Sequence, residues 1–146
     1  MTTTKLPDME FKFDINVKGN DTATVFEGHF RYRRPSLGAR ARIASTNARL
    51  NGDVENLKNL EIEELNYALA HLRHTLMDTP AWWEEAFYGM ELYDSNVIEE
   101  VYNKCMKFEA EWKARIHSDK KTDVMESKDA TTEAFVRIPD EGQTKV

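Results

Sequence analysis

The stretch MEFKFDINVKGNDTATVFEGHFRYRR, residues 9–34, alternates in two halves with a turn between them. In the first half Phe11, Phe13, Ile15 and Val17 share one face, and Lys12, Asp14, Asn16 and Lys18 share the other. That period of two is the mark of a half-buried strand. Gly19-Asn20-Asp21 is a turn cluster. The second half places Phe26, Gly28, Phe30 and Tyr32 on one face. Together the halves predict a β-hairpin, with Gly28 at a bulge or beneath a neighbouring aromatic ring.

Everything that follows the hairpin in the domain reads as helix, which makes the chain α+β. Pro35-Ser36 stops the second strand and opens a helix over SLGARARIASTNARL, closed by Asn51-Gly52. Its apolar positions Leu37, Ala41, Ala44 and Ala48 follow a 4-3-4 spacing. Residues 52–60 read as a loop. In IEELNYALAHLRHTLM, Ile62, Leu65, Leu69, Leu72 and Leu76 form one narrow seam. Thr79 as N-cap and Pro80 at the first helical position start a short helix ending by Gly89, with Glu84 and Glu85 suited to its first turns. Asp94 or Ser95 then caps a long helix to about Ile116, with a seam of Val97 or Ile98, Val101, Cys105, Phe108 and Trp112. The expected organisation is a flexible lead (1–8), one domain of a hairpin and three to four helices (9–117), and a disordered tail (118–146). The tail is polar and cannot bury enough apolar surface to offset its ordering entropy. It holds one apolar island, from which Phe135, Val136 and Ile138 form a candidate recognition element.

With 146 residues, 40% of them apolar, the chain has enough for one core. No apolar run is long enough for a membrane span, and MTTTKLPDME lacks the apolar region of a signal peptide. A single cysteine excludes an intramolecular disulfide. The net charge of −6 is unevenly laid out. Residues 29–50 carry six arginines and no acid, whereas residues 51–100 carry twelve acids against Lys58 and Arg73. The blocks can pair within the fold or between copies of a homo-oligomer, and the overall sign argues against nucleic acid as the main partner.

Few constellations carry chemistry. His71 and His74 stand three apart on the leucine helix but fall about 130–190° from its seam at 100° per residue, which predicts a solvated face rather than a metal site. Cys105, between Val101 and Phe108, reads as a buried small hydrophobe. No nucleophile elbow, phosphate loop, HExxH or CxxC is present, so neither an enzyme nor a cofactor is expected. Arg31, Arg33, Arg34, Arg40 and Arg42 form a basic patch that either answers the acidic block or meets phosphates. The tryptophan pair in DTPAWWEEAF cannot share the middle of one stripe. Trp83, in line with Phe87 and Met90, is expected in the core, and Trp82 at its rim, open to a partner. Pro80, Trp82, Trp83, Phe87, Tyr88 and Tyr93 are therefore the candidate contact surface.

The order FEGHFRYRRPSLGARARI, a leucine helix, DTPAWWEE and LYDSNVIEEVYNKCMKFEAEW resembles the tail assembly chaperones of long-tailed bacteriophages. The resemblance covers roughly residues 25–115, and Pro80, Trp82 and Trp83 match the family's aromatic element. It implies a protein of the host cytoplasm that keeps the tape measure protein soluble, helps tail-tube subunits assemble around it and is absent from the finished virion. It also implies a longer, frameshifted form in many such systems. Two other classes compete: a structural virion protein of the tail or head–tail connector, and a small nucleic-acid-binding regulator that uses the arginine block.

Overall fold

The computed structural model describes residues 6–52 and 59–124. The expected lead (in part), the residues 53–58 of the expected loop, and the tail from residue 125, with Phe135, Val136 and Ile138, lie outside the described residues. The chain divides into two units, Met1–Glu109 and Ala110–Val146.

The hairpin forms as its alternation predicts. Strand β1 (Glu10–Lys18) pairs antiparallel with β2 (Val25–Arg33), with Phe13 opposite Phe30 and Ile15 opposite Gly28. Its apolar face is the floor of the core: Phe13, Ile15, Phe30 and Tyr32 are buried. Helix α1 (Leu37–Asn51) follows, capped by the Ser36 hydroxyl, which accepts from the Ala39 N–H. Gly52, at φ 58°, closes it by donating to the carbonyls of Ala48 and Arg49. Helix α2 (Leu60–Thr75) is capped by Asn59. Then come a short strand β3 (Leu76–Asp78), a single-turn helix α3 (Ala81–Glu85) and the long helix α4 (Ser95–Val124). The α+β class is as expected.

The structure adds a strand and changes several faces. β3 joins β2 on the side away from β1, giving the sheet order β1-β2-β3, with a register irregularity between Arg31 and Tyr32. Gly28 is not at a bulge between the hairpin strands, nor under an aromatic ring. It lies under Pro80, whose Cγ would be 2.5 Å from an added Cβ. Pro80 occupies the N-cap position of α3, and Thr79 instead donates its hydroxyl to Glu84. α4 passes the expected stop near Ile116, so residues 118–124 are helical rather than tail.

The outward and inward faces of α1 are the reverse of the expectation. Ala39, Ile43 and Thr46 are buried, whereas Leu37 is 80% exposed and Ala41, Ala44 and Ala48 face out with it. α1 packs on α2. That second neighbour widens the buried arc of α2 beyond a narrow leucine seam to Ala68, Ala70, His71, Leu72 and Thr75, while Ile62 is exposed. From α4, Val97, Ile98, Val101 and Cys105 enter the core as expected. Phe108 stacks on Phe11 and meets Tyr32 edge-on, which fixes α4 against the sheet.

Asp94 ties the hairpin tip to α4. It is 1% exposed, and its carboxylate accepts from the Asp21 N–H, the Thr22 N–H and the Thr22 hydroxyl at 2.6–2.7 Å. Asn96 accepts from the Asn20 N–H and donates to the Lys18 carbonyl. An added Cβ at Gly19 would collide with the Asp94 carboxyl group, so the turn approaches that closely only because residue 19 lacks a side chain. The Thr22 hydroxyl, followed by the Thr22 and Asp21 N–H groups, holds the Asp94 carboxyl below the ordinary aspartate range. A depressed folded-state value gives stability that is present above the unfolded value near 4 and is lost as pH falls through the folded one. Asp94→Asn should therefore lower stability at neutral pH and flatten its loss as pH falls below about 4. Thermal melts of both proteins across that range check this.

Candidate functional site

The candidate contact residues do not form one patch, because α3 ends at Glu85. Phe87 and Tyr88 follow in the left-handed region at φ 52° and 58°, and Gly89 continues there at φ 93°. Two consecutive side-chain-bearing residues in that region are costly and persist only where the surroundings hold them. The consequence is that Phe87 and Met90 are not on one face with Trp83. Phe87 is 66% exposed and Met90 is also exposed, whereas Trp83 is 1% exposed.

Trp83 thus belongs to the core and cannot touch a partner. Its ring meets Phe30 edge-on at 5.5 Å, and Gly89 lies against its other end. Trp82 is half-buried at the sheet's edge. It contacts Phe26 at 5.0 Å and Phe30 at 6.1 Å, and its indole N–H donates to the Glu27 carbonyl. This holds Trp82 at the rim but leaves it less open to a partner than expected. Pro80 is likewise half-buried, over Gly28.

What remains presented is the loop after α3. Phe87, Tyr88 and Met90 form one wall of a hollow of about 240 Å³, with Leu50 of α1 and Leu69 of α2 opposite. Arg49 and Arg73 border it. The Arg73 guanidinium sits 3.7 Å from the centre of the Tyr88 ring, a cation–π contact that orients the ring. Tyr93 is 80% exposed but does not line this hollow. Of these, Leu50, Leu69, Arg49 and Arg73 were not among the contact residues expected from sequence. They belong to two other helices, and only packing joins them to the loop.

The arginine patch is divided. Arg31 bridges the sheet, bonding Glu10 on β1 and Asp78 on β3. The bond to Asp78, and then that to Glu10, raises its value, and the first of them holds Asp78 low. Arg34 donates to Glu109 at 2.8 Å. Arg33, Arg34 and Arg42 line a hollow of about 180 Å³ with His74, and Arg40 is exposed outside it. Burial first, and then Arg73, Arg42 and Arg49, keep His74 below the ordinary histidine value. Its Nε2 bonds the Thr46 hydroxyl at 2.7 Å.

No family model, curated protein or solved structure matches the chain.

His71 is the larger departure from the sequence reading. It is buried rather than solvated, with Nε2 3.0 Å from the Tyr32 hydroxyl. Tyr32 donates its one proton to Glu109 at 2.7 Å, so the His71 Nε2–H must donate to the phenol oxygen. That tautomer leaves Nδ1 as a bare acceptor, and it has no partner among the described residues. Burial holds the imidazole below its ordinary value and drives the Tyr32 phenol and the Cys105 thiol well above theirs. A thiol so held is a packing group, not a nucleophile. No group of three metal-ligating side chains occurs among the described residues, and none of their helices is long and apolar enough to cross a membrane.

Proposed function

We propose that the chain is a non-enzymatic tail assembly chaperone of a long-tailed bacteriophage. It binds the amphipathic tape measure protein in the host cytoplasm and assists tail-tube assembly around it. The observation that carries the binding part is the loop 86–90. Its backbone accepts left-handed conformations at Phe87 and Tyr88, and the result is an exposed aromatic wall beside an apolar hollow. The strained loop turns its aromatic rings to solvent while Gly89 packs on the core, and rings held out in this way suit a contact surface. Aromatic and aliphatic anchors of this kind suit the apolar stripe of a helix laid into a groove. The choice of a tape measure protein as that helix rests on the resemblance carried by the FEGHFRYRRPSLGARARI and DTPAWWEE segments.

The test is co-expression with the tape measure protein of the same phage. The wild-type chain should keep that protein in the soluble fraction and co-purify with it, and should be missing from purified virions. Retention in virions would favour a structural tail or connector protein. Binding to DNA that falls steeply with salt would favour the regulator.

The strain gives a separable prediction. Phe87→Gly removes a side chain from a left-handed position, so it should raise folding stability by about 0.5–1 kcal/mol, the relief exceeding glycine's entropic cost. It should also reduce partner binding at least about tenfold, the usual loss at an aromatic anchor. Denaturant melts and a pull-down on the same preparation check both. A variant that is stabilised and still binds fully would remove the loop from the contact surface.

A further inference from the structure

Where β2 hands the chain to α1, positive charge collects without a counter-charge. Arg33 ends the strand, Arg34 follows it, and Arg42 stands in the second turn of the helix. All three line one hollow of about 180 Å³, together with Ser36, His74 of α2 and Met77 of β3. No Asp or Glu lines it. Arg34 has Glu109 as a partner. Arg33 and Arg42 form no ion pair among the described residues.

The position of Arg42 is the informative one. A Cβ added at Gly38 would lie 3.4 Å from Nη1 of Arg42 and 3.9 Å from the Ser36 hydroxyl oxygen. The guanidinium therefore folds back along α1 to its first turn, which contains no acidic residue. A cation is disfavoured at that end of a helix, and an anion is favoured. His74 responds to the same excess. After burial, it is Arg73, Arg42 and Arg49 that hold its imidazole below the ordinary value. An anion in the hollow would relieve all of these conflicts at once.

We infer that this hollow is a binding site for a tetrahedral oxyanion, the phosphate group of a small phosphate-bearing molecule, held by Arg33 and Arg42. Guanidinium forks match phosphate oxygens in geometry and charge. The Ser36 oxygen accepts from the Ala39 N–H, so its own proton remains to be donated. A hollow of about 180 Å³ admits one such group. The net charge of −6 works against the long-range attraction that a nucleic-acid backbone relies on. The site does not depend on which client the aromatic loop binds.

Calorimetric titration of the full chain with inorganic phosphate tests it. Binding at low salt should be saturable, with a Kd of about 1 mM or tighter. Arg42→Gln and Arg33→Gln should each weaken it at least about tenfold, the loss expected for a charge-assisted hydrogen bond. Arg40→Gln should leave it unchanged, because Arg40 lies about 160° round the helix from Arg42 and outside the hollow. All three arginines are exposed, and circular dichroism checks that each variant is folded. Phosphate should also raise the titration midpoint of His74, followed by NMR with His74→Gln to assign the signal, and sodium chloride of equal ionic strength should not. A short DNA duplex without terminal phosphates separates the two sources of the group, and it should not bind. Phosphate binding that is absent, or that Arg40→Gln weakens as much as Arg42→Gln does, overturns the site. Binding of the duplex in place of phosphate overturns it too, and gives the arginines to nucleic acid.

Discussion

Trp83→Ala should cost about 3–5 kcal/mol of folding stability, the range for removing a large buried aromatic ring. The side chain is 1% exposed and lies where three parts of the fold converge. Phe30 from the central strand meets it edge-on, and Ile98 of α4 and Trp83 both approach within about 3 Å of the place where a Cβ would stand on Gly89. The loop after α3 thus closes directly on the indole, and only a glycine fits between. Removing the ring opens a cavity under that loop and removes the contact that holds Phe87 and Tyr88 in their left-handed conformations. Stability and client binding should therefore fall together in Trp83→Ala, in contrast to Phe87→Gly, where they part. For a domain of this size the melting temperature should drop by more than about 10 °C. Trp82→Ala should cost less, because its ring is half-buried and its one hydrogen bond goes to the Glu27 carbonyl. Guanidinium melts of the two variants would rank them. Equal losses, or a Trp83→Ala loss below about 1.5 kcal/mol, would mean that the pair shares the core evenly.

The hairpin was legible because seven apolar residues and Gly28, alternating over residues 11–32, repeat one local rule. The core positions of α4 were legible for a similar reason, since Val97, Val101 and Cys105 recur on one helical face. β3 was not, because Leu76–Asp78 is too short to show a period and its place is set by pairing with Arg31 on β2. On α1 the sequence offers two stripes on nearly opposite faces. The expected stripe's one bulky residue, Leu37, opens the helix and is 80% exposed, and beyond it the mid-helix Ile43 outweighs three alanines, each of which contributes little burial. In the candidate contact surface the tryptophan pair drew the eye, but Trp83 is buried and Trp82 half-buried, and the exposed rings are those of Phe87 and Tyr88. The turn at 87–89 depends on how the chain closes over Trp83, and of its three residues only Gly89 announces an unusual backbone.

Glu109→Ala should be as damaging as the loss of Trp83, at about 3–5 kcal/mol, because it breaks a buried ion pair and leaves a charge behind. Its carboxylate, on α4, takes the Tyr32 hydroxyl on one oxygen and the Arg34 guanidinium on the other. Both members of the ion pair are largely buried, with side-chain exposures of 14% for Arg34 and 11% for Glu109. The network explains why a histidine can sit in the core between helix and sheet. His71 donates to a phenol oxygen whose proton is already committed to Glu109, so the three groups are polarised in one direction. Tyr32→Phe should cost less, about 1–3 kcal/mol, since Arg34 still satisfies the carboxylate while the His71 N–H is orphaned. Acid should act on the same network. With its folded-state value held below the ordinary 6.5 by burial, His71 binds fewer protons in the folded than in the unfolded chain just below that pH. Stability from this source is therefore complete above about pH 6.5 and declines as pH falls beneath it. His74, also held low, adds to the same decline. His71→Leu should make the pH dependence below about 6.5 shallower without removing it, because the His74 contribution survives. An unchanged slope in that variant would show that the imidazole reaches solvent, and the buried network would have to be redrawn.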